Sequence, residues 1–248
     1  DDYAEVPQLG MYPATATAVV PTYNLGDADD ATRHEPIALS REALALIFLG
    51  EITRWDDERL RTVATDTEVI TNPGMPAENI TVVVRSDGSG TTEIFTKALS
   101  AFSSDFADAV GASRQPDWRA HSRAVTIVEG CGNEGVVSAV VSTAYSIGYA
   151  VYSEARATGA NRARLVNRGG KAVAANVSSV EYALAELSGL LLESDTLTAD
   201  LVDASSSTAW PISGLTYFVL RKTNNGAGLD DAAADTPSTG SSSSSSSS

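Results

Sequence analysis

The segment VVVRSDGSGTTEIF, residues 82 to 95, holds side chains that suit the binding of a small oxyanion. Arg85 can donate two N–H groups to two oxygens of one tetrahedral anion, and Ser89 and Thr91 can add hydroxyl donors. Asp87 fits such a site in one of two roles: it orients Arg85 through an ion pair, or it accepts a proton that the ligand carries. Together these groups suit a phosphate-like ligand.

The secondary-structure elements around this segment must also leave its backbone N–H groups accessible to a ligand. A run of β-branched residues comes first and an apolar pattern with helical spacing follows, which predicts a strand, a glycine-bearing turn and a helix. Free N–H groups and the positive end of the helix dipole make the start of a helix a ready anion site. Gly88 and Gly90 would let the backbone approach a ligand closely.

An ordinary helix cap explains the same residues. Ser, Gly, Asp and Thr are the types that a strand-to-helix turn and an N-cap require, so the loop alone leaves both interpretations open. The segment lacks the Gly-Lys-Ser/Thr end of a nucleotide P-loop. It also lacks the spacing of a nucleophile elbow, and no credible set of nucleophile and base accompanies it, so we expect no catalytic residue and no enzyme activity.

Composition narrows the range of partners. A formal net charge of −15 argues against nucleic acid and against an anionic membrane surface. One cysteine, Cys131, and two histidines, His34 and His121, are too few for a Cys/His metal cluster, so we expect no metal and no cofactor. We expect a buried thiol at Cys131 and exposed imidazoles in polar loops. No segment approaches the roughly 18 apolar residues of a membrane span, so we expect no direct membrane insertion.

The hydrophobic periodicity and the positions of glycine, proline and capping residues predict an α/β layered sheet with helices on both faces. Ser40 and Gly50 have the positions of an N-cap and a C′ residue around a short helix. Binding sites in such sheets lie where strand ends meet helix N-termini. The predicted strands are residues 16–23, 80–86, 124–130, 146–152, 163–167 and 210–222; the predicted helices are residues 41–49, 55–64, 132–144, 180–193 and one after the loop whose apolar face is Ile94, Phe95, Ala98, Leu99 and Phe102.

Several blocks of the sequence carry a family resemblance. Arg85-Ser86-Asp87-Gly88-Ser89-Gly90-Thr91-Thr92, followed by Phe95, resembles the phosphate loop of the periplasmic phosphate-binding proteins that feed bacterial phosphate ABC transporters. Further blocks that resemble this family, in the same order, are VVPTYNLG, ALSREALALIFLGEITRWDDERL, GNEGVVSAVVSTAYSIGYAVYSEA and WPISGLTYFVLRK. The resemblance therefore covers most of the chain and is specific.

This resemblance implies a class II periplasmic-binding-protein fold, in which phosphate is held in the cleft between two lobes. In the family, the loop contacts phosphate through its arginine, its serine, the amide of its second glycine and its first threonine, and the loop aspartate pairs with the arginine. Residues 132 to 135 are a weaker candidate for shaping the cleft. The residues carried over are Arg85, Ser89, Gly90 and Thr91 as phosphate ligands, with Asp87, Gly88 and Ser86 in supporting positions.

The sequence also departs from the family. The N-terminal stretch that supplies the other half of the phosphate cage has no match, and neither have the C-terminal helices that return to the first lobe. We therefore expect mainly the second lobe with two hinge strands. The expected divisions are residues 1–26, a first-lobe remnant and hinge strand; 27–209, the α/β second lobe; 210–222, the returning hinge strand; and 223–248, a disordered serine-rich linker or tail.

Two classes of function stay open on this basis. The first is a non-catalytic module that binds inorganic phosphate, and the second is a structural or protein-interaction module that has kept the fold and lost tight ligand binding. The hinge strands would expose faces that a first lobe covers, which favours a complementary lobe, further modules of this kind or a membrane transporter as partners. The resemblance implies a secreted, periplasmic or cell-surface location.

Overall fold

The structure, a computed structural model, describes residues 9–26, 36–122, 125–193 and 199–221, with the backbone alone for Leu9 and residues 187–193. The predicted tail at 223–248 and His34 lie outside these residues. The described elements, in chain order, are β1 (Leu9–Asn24), β2 (Ala38–Leu39), α1 (Arg41–Leu49), α2 (Glu58–Arg61), β3 (Thr62–Ala64), β4 (Val69–Thr71), β5 (Thr81–Arg85), α3 (Gly90–Phe102), α4 (Ser104–Ala109), α5 (Trp118–His121), β6 (Thr126–Gly130), α6 (Gly132–Ser142), β7 (Ser146–Val151), α7 (Tyr152–Ala157), β8 (Asn161–Arg162), β9 (Arg164–Val166), β10 (Ala172–Val173), α8 (Val177–Glu193) and β11 (Ser213–Arg221).

The main sheet has the strand order β11-β1-β7-β5-β6, and β8 pairs with the last part of β1. β5 runs parallel to both β6 and β7, whereas β1 is antiparallel to β7 and to β11. β1 is long enough to serve two neighbours, since residues 9–18 pair with β11 and residues 19–24 pair with β7. Strands β1 and β11 therefore form a two-stranded ribbon that leaves the rest of the sheet.

The three parallel strands determine where a site can form. Because β5, β6 and β7 point the same way, their carboxyl ends lie on one edge of the sheet, and α3, α6 and α7 all begin there. Two helices of this group are long enough for a substantial dipole, with 13 residues in α3 and 11 in α6. This edge of the sheet is therefore the place where backbone N–H groups gather.

The core fixes the direction of α3. Phe95, Ala98 and Leu99, which share one face of the helix, are fully buried. The ring of Phe95 stacks on Tyr149 of β7 with centroids 4.2 Å apart and meets Phe48 of α1 edge-on at 4.8 Å. Aromatic contacts in these geometries contribute beyond simple area burial. The start of α3 is consequently held rigidly against the sheet.

The predicted strands at 16–23, 80–86, 124–130, 146–152, 163–167 and 210–222 are confirmed as β1, β5, β6, β7, β9 and β11. The short helix between Ser40 and Gly50 is also confirmed. Ser40 Oγ accepts from the N–H of Ala43 at 3.0 Å, and Gly50 ends the helix at φ +75°, a left-handed conformation that glycine adopts without strain.

The helix predicted at residues 55–64 is wrong over most of its length. Only Glu58–Arg61 is helical, because Asp57 caps the chain there and accepts from the N–H of Arg59. Trp55 is fully buried in the core, and Thr62–Ala64 pairs with Val69–Thr71 as a small hairpin. Tertiary burial and strand pairing thus override the charge pattern that favoured a helix.

The prediction of a buried thiol at Cys131 is also wrong, because Cys131 is exposed. Cys131 is the N-cap residue of α6 and stands at the open edge of the sheet instead of in the core. His121 is exposed as expected, but it ends α5 and does not lie in a loop.

Candidate anion-binding site

The loop between β5 and α3 lies at the carboxyl edge of the parallel strands, beside the junction of β6 and α6. The N–H of Ser86 donates to the carbonyl of Gly130 at 3.1 Å, which joins the two junctions. At Gly130, a Cβ atom would lie 2.5 Å from the backbone of Gly135, so a side chain there would collide with α6. The glycines of this second junction therefore allow close packing and leave the first loop at the surface.

Ser89 is the N-cap of α3. Its buried hydroxyl accepts from the N–H of Thr91 at 3.1 Å and of Thr92 at 3.4 Å, and its own N–H donates to the carbonyl of Arg114 at 3.0 Å. The helix-cap interpretation of this serine is thus realised in the structure. Because the hydroxyl oxygen of Ser89 is the acceptor in both of these hydrogen bonds, the hydroxyl proton is still available for donation to a ligand.

Gly90 and Thr91 form the exposed first turn of α3. Gly90 is exposed, and a Cβ atom added to it would meet no other atom within 4 Å. Thr91 is half-buried. First-turn amides of a helix have no carbonyl four residues earlier to bind, so the N–H of Gly90 is a donor without a helical partner. The backbone here can approach a ligand without hindrance.

Arg85 and Asp87 form a two-pronged ion pair inside the loop. Arg85 Nε donates to Asp87 Oδ1 at 2.8 Å, and a second guanidinium nitrogen donates to Oδ2. The N–H of Gly132, at the start of α6, donates to Asp87 Oδ1 at 3.0 Å. Asp87 therefore takes the first of the two roles open to it: it orients Arg85, and it also ties the β5–α3 loop to the β6–α6 junction.

The surroundings of this pair differ for its two partners. The side chain of Arg85 is only 9% exposed, whereas that of Asp87 is 39% exposed. The guanidinium of Arg85 and, next, the N–H of Gly132 hold the pKa of Asp87 far below its ordinary range. The Asp87 carboxylate in turn raises the pKa of Arg85. Both groups are charged at neutral pH, and the pair as a whole has no net charge.

Tyr149 supports the loop from below, a role that no local motif signals. The N–H of Arg85 donates to its hydroxyl at 3.4 Å, and the hydroxyls of Tyr149 and Thr92 are 2.9 Å apart. The tyrosine is fully buried, and this burial raises its pKa. One hydroxyl thus connects the end of β5 to the first turn of α3.

An open cleft of about 930 Å³ lies beside the start of α3. Its walls come from the β1–β11 ribbon, the junction of β7 with α7, and the first turns of α3 and α8. Gly90 and Thr91 line the cleft, while Arg85 and Ser89 stand behind these residues and outside the lining. Of the four predicted ligands, two therefore line the open space and two lie next to them in the loop, outside the lining.

Two further features of the cleft escaped the sequence argument. Arg114 lines it beside Thr91, and Asn176 lines it at the start of α8. Asn176 Oδ1 accepts from the N–H of Ser179 at 2.9 Å, and Ser179 Oγ accepts from the N–H of Asn176 at the same distance. This reciprocal cap could have been read from the Asn-x-x-Ser spacing. No local pattern marks Arg114, which reaches the site only through the fold.

The remaining predicted positions are peripheral. Ser86 and Gly88 are exposed in the turn, and a Cβ at Gly88 would lie 3.5 Å from the Gln115 side chain. Residues 132–135 are absent from the described lining of the cleft and act through Gly132 on Asp87. Within residues 9–26, 36–122, 125–193 and 199–221, no group of three or more His, Cys, Asp or Glu side chains could hold a metal ion.

Among the helices that the structure describes, none combines the length and the apolar character that a membrane crossing requires.

Comparisons with known proteins agree on one family. The model of a family described as PBP superfamily domain matches residues 11–238. The phosphate-binding protein PstS of Methanocaldococcus jannaschii is 36% identical over 220 residues, which are 87% of this chain and 54% of that protein. A putative serine/threonine-protein kinase/receptor of Acanthamoeba polyphaga mimivirus is 26% identical over 228 residues, 88% of this chain and 13% of that protein.

A comparison with solved structures shows a shared fold. The crystal structure of the phosphate-binding protein of Stenotrophomonas maltophilia superposes with a TM-score of 0.54 at 22% identity and covers 86% of this chain and 55% of that one. The predicted α/β fold of the periplasmic-binding-protein type is thereby confirmed, as one part of a larger fold. The chain spans about half the length of the curated relatives that it matches.

Proposed function

We propose that this chain, which belongs to the family of PBP superfamily domains, binds inorganic phosphate at the loop between β5 and α3 and catalyses no reaction on it. The observation that carries the proposal is the start of α3, where Gly90 and Thr91 line an open cleft and the N–H of Gly90 has no carbonyl four residues earlier in the helix to bind. A helix N-terminus favours a negatively charged ligand through its free N–H groups and its dipole. The relative named phosphate-binding protein PstS supports phosphate as the anion.

Each predicted ligand has a distinct role in this proposal. Gly90 donates its N–H, Thr91 its hydroxyl and Ser89 the hydroxyl proton that its cap bonds leave free. Arg85 supplies the guanidinium, which Asp87 holds in one orientation so that little rotamer entropy is lost on binding. Ser86 and Gly88 keep the turn narrow enough for the loop to curve around a tetrahedral anion.

The proposed ligands all stand on one side of the cleft. We infer that residues 27–209 act as the second lobe and residues 210–222 as the returning hinge strand. Residues 1–26 would be a first-lobe remnant and hinge strand, and residues 223–248 a linker or tail. A second set of donors would then come from a complementary lobe, from another module of the same kind or from a membrane transporter. Each hydrogen bond to a charged ligand contributes about 1.5–3 kcal/mol, so binding by this chain alone should be weak. The relatives favour a secreted, periplasmic or cell-surface location.

A specific observation favours a second candidate, an interaction module without useful ligand affinity. Tyr12, Phe218 and Leu220 are exposed on the β1–β11 ribbon, and Tyr12 lies directly opposite Phe218. Cross-strand neighbours share one face of a sheet, so these side chains form one apolar surface that a partner would cover. The similarity to a segment of a much longer kinase/receptor is consistent with such a module.

Calorimetric titration of the 248-residue chain with phosphate, and separately with sulfate, separates the two candidates. We expect saturable heat with phosphate. Equal heats with both anions would broaden the ligand to tetrahedral oxyanions in general. No heat with either anion at millimolar concentration would overturn the phosphate proposal and leave the interaction module.

A further inference from the structure

Arg114 is bound to the candidate anion loop through its backbone, and its side chain stands at the mouth of the cleft. Its carbonyl accepts from the N–H of Ser89 at 3.0 Å, so the residue cannot move independently of the start of α3. The side chain is 65% exposed, and its guanidinium is 3.7 Å from the carboxylate of Glu93. An exposed pair at this separation is weak, so the guanidinium can turn towards a ligand at little cost.

The charges around the loop make this side chain significant. The positive charge of Arg85 is matched by Asp87, and Glu93 adds a carboxylate in the first turn of α3. Without Arg114, these three groups sum to one negative charge at the place where an anion is to bind. With Arg114 the sum is zero, so the partial positive charge of the amides at the start of α3 makes the local electrostatic potential positive.

The wider surroundings do not supply a substitute. Among the described residues that line the cleft, the charged ones are Arg114 and Glu181, so Arg114 is the cation that an entering ligand meets. The chain as a whole carries a formal charge of −15, which repels anions at long range. Local cations therefore govern both the approach of an anion and its affinity.

We propose that Arg114 is a further anion-binding residue, which neutralises Glu93 in the free protein and turns to the phosphate oxygens when the ligand enters. This proposal rests on the proposed function, because it assigns a role within the same site. It adds a donor from the segment before α5 to a ligand set that otherwise comes entirely from the β5–α3 loop.

Arg119 offers a matched control. Its side chain is 66% exposed and pairs with Glu129 at 3.0 Å, but it is absent from the lining of the cleft. Replacing either arginine by glutamine lowers the net charge of the chain by one, so any effect of overall charge is the same in both variants. The experiment is calorimetric titration of the full chain and of R114Q, R114K and R119Q with inorganic phosphate, at low and at high ionic strength.

We expect R114Q to weaken phosphate binding about tenfold at low ionic strength, with a smaller gap at high salt, because the lost interaction is electrostatic and exposed. R114K should recover most of the affinity, and R119Q should bind as the unchanged chain does. If the unchanged chain binds phosphate and R114Q matches R119Q, the role of Arg114 is wrong and the proposed function stands. If the unchanged chain gives no heat, the proposed function fails and the inference falls with it.

Discussion

Two regions of the molecule each hold an arginine two residues before an aspartate. In both, the arginine Nε donates to Oδ1 of the aspartate, at 2.9 Å for Arg54 and Asp56 and at 2.8 Å for Arg85 and Asp87. The surroundings differ sharply. The side chain of Arg54 is 47% exposed, whereas that of Arg85 is 9% exposed and its aspartate also accepts from the N–H of Gly132.

The difference shows what turns a local ion pair into a candidate site. The Arg-x-Asp spacing alone is enough for the two-pronged ion pair, since the pair forms in both places. The pair at Arg85 stands at the carboxyl edge of three parallel strands, beside two helix starts and a cleft, where the arginine is shielded from water although its aspartate is 39% exposed, against 22% for Asp56. The pair at Arg54 stands at an exposed turn, where exposed ion pairs contribute little.

The largest expected effect comes from removing the two arginines in turn. R85A should abolish measurable phosphate binding at concentrations where the unchanged chain binds, because it removes two charged donors worth about 1.5–3 kcal/mol each, which is roughly a hundredfold or more in affinity. R54A should leave binding unchanged. Calorimetry on both variants measures this, with circular dichroism to establish that each is folded. Equal losses in the two variants would show that the fork acts only on stability.

Two serine helix caps, one at the loop and one away from it, give the next largest effect. Ser40 and Ser89 are both N-caps whose hydroxyls accept from first-turn amides, so S40A and S89A should each destabilise the fold by about 1 kcal/mol in urea unfolding. Only S89A should also weaken phosphate binding, by about tenfold, because it removes a ligand donor as well. If both variants bind phosphate like the unchanged chain, Ser89 is a cap and nothing more.

Much of the fold follows from the sequence for a simple reason. Strands β5 and β6 are rich in β-branched residues, and the helices at Ser40 and Ser89 carry their own caps. These signals are local, so they need no knowledge of the rest of the chain. The pairing of Asp87 with Arg85 belongs to the same class, since the two residues lie two positions apart. The proposed phosphate ligands rest on the family resemblance, because the loop alone also fits an ordinary helix cap.

What could not be predicted depends on contacts distant in sequence. Tyr149 reaches the loop from β7 and Arg114 from the segment before α5, and neither carries a motif. The failed helix at residues 55–64 has the same cause, because Trp55 is drawn into the core by residues far along the chain. Cys131 is exposed because α6 begins at the sheet edge, which is a property of the topology.

A smaller effect should appear in the pH dependence of stability. The pKa of Asp87 is lowered in the folded protein, chiefly by Arg85, so its carboxylate stabilises the fold at a pH above the ordinary Asp pKa of about 4 and loses this contribution as the pH falls towards its folded value. D87N should therefore be less stable than the unchanged chain at pH 7, by about 1 kcal/mol after allowance for solvent screening of a 39% exposed side chain.

The comparison with Asp56 sharpens this test. Its pKa is also lowered, chiefly by Arg54 and to a lesser degree by Arg61, so D56N should show the same sign. The difference should be smaller, because Arg61 is 3.8 Å from Asp56 whereas the N–H of Gly132 is 3.0 Å from Asp87. Urea unfolding between pH 3 and pH 7 measures both differences, and each should shrink towards the acid end. A gap between D87N and the unchanged chain that stays constant across this range would contradict the assigned ion pair.

The smallest effect isolates the support beneath the loop. Y149F removes a buried hydroxyl that accepts from the N–H of Arg85. Y23F removes one that accepts from the N–H of Ile37 at 3.2 Å, and the ring of Tyr23 lies 6.5 Å from that of Trp55, the residue between Arg54 and Asp56. Each should lower stability by about 0.5–1.5 kcal/mol. Y149F alone should also weaken phosphate binding a few-fold, because Arg85 and the first turn of α3 lose their common anchor. If Y23F weakened phosphate binding as much as Y149F, any loss of core stability would weaken binding. The hydroxyl of Tyr149 would then have no specific role in holding Arg85 and the start of α3.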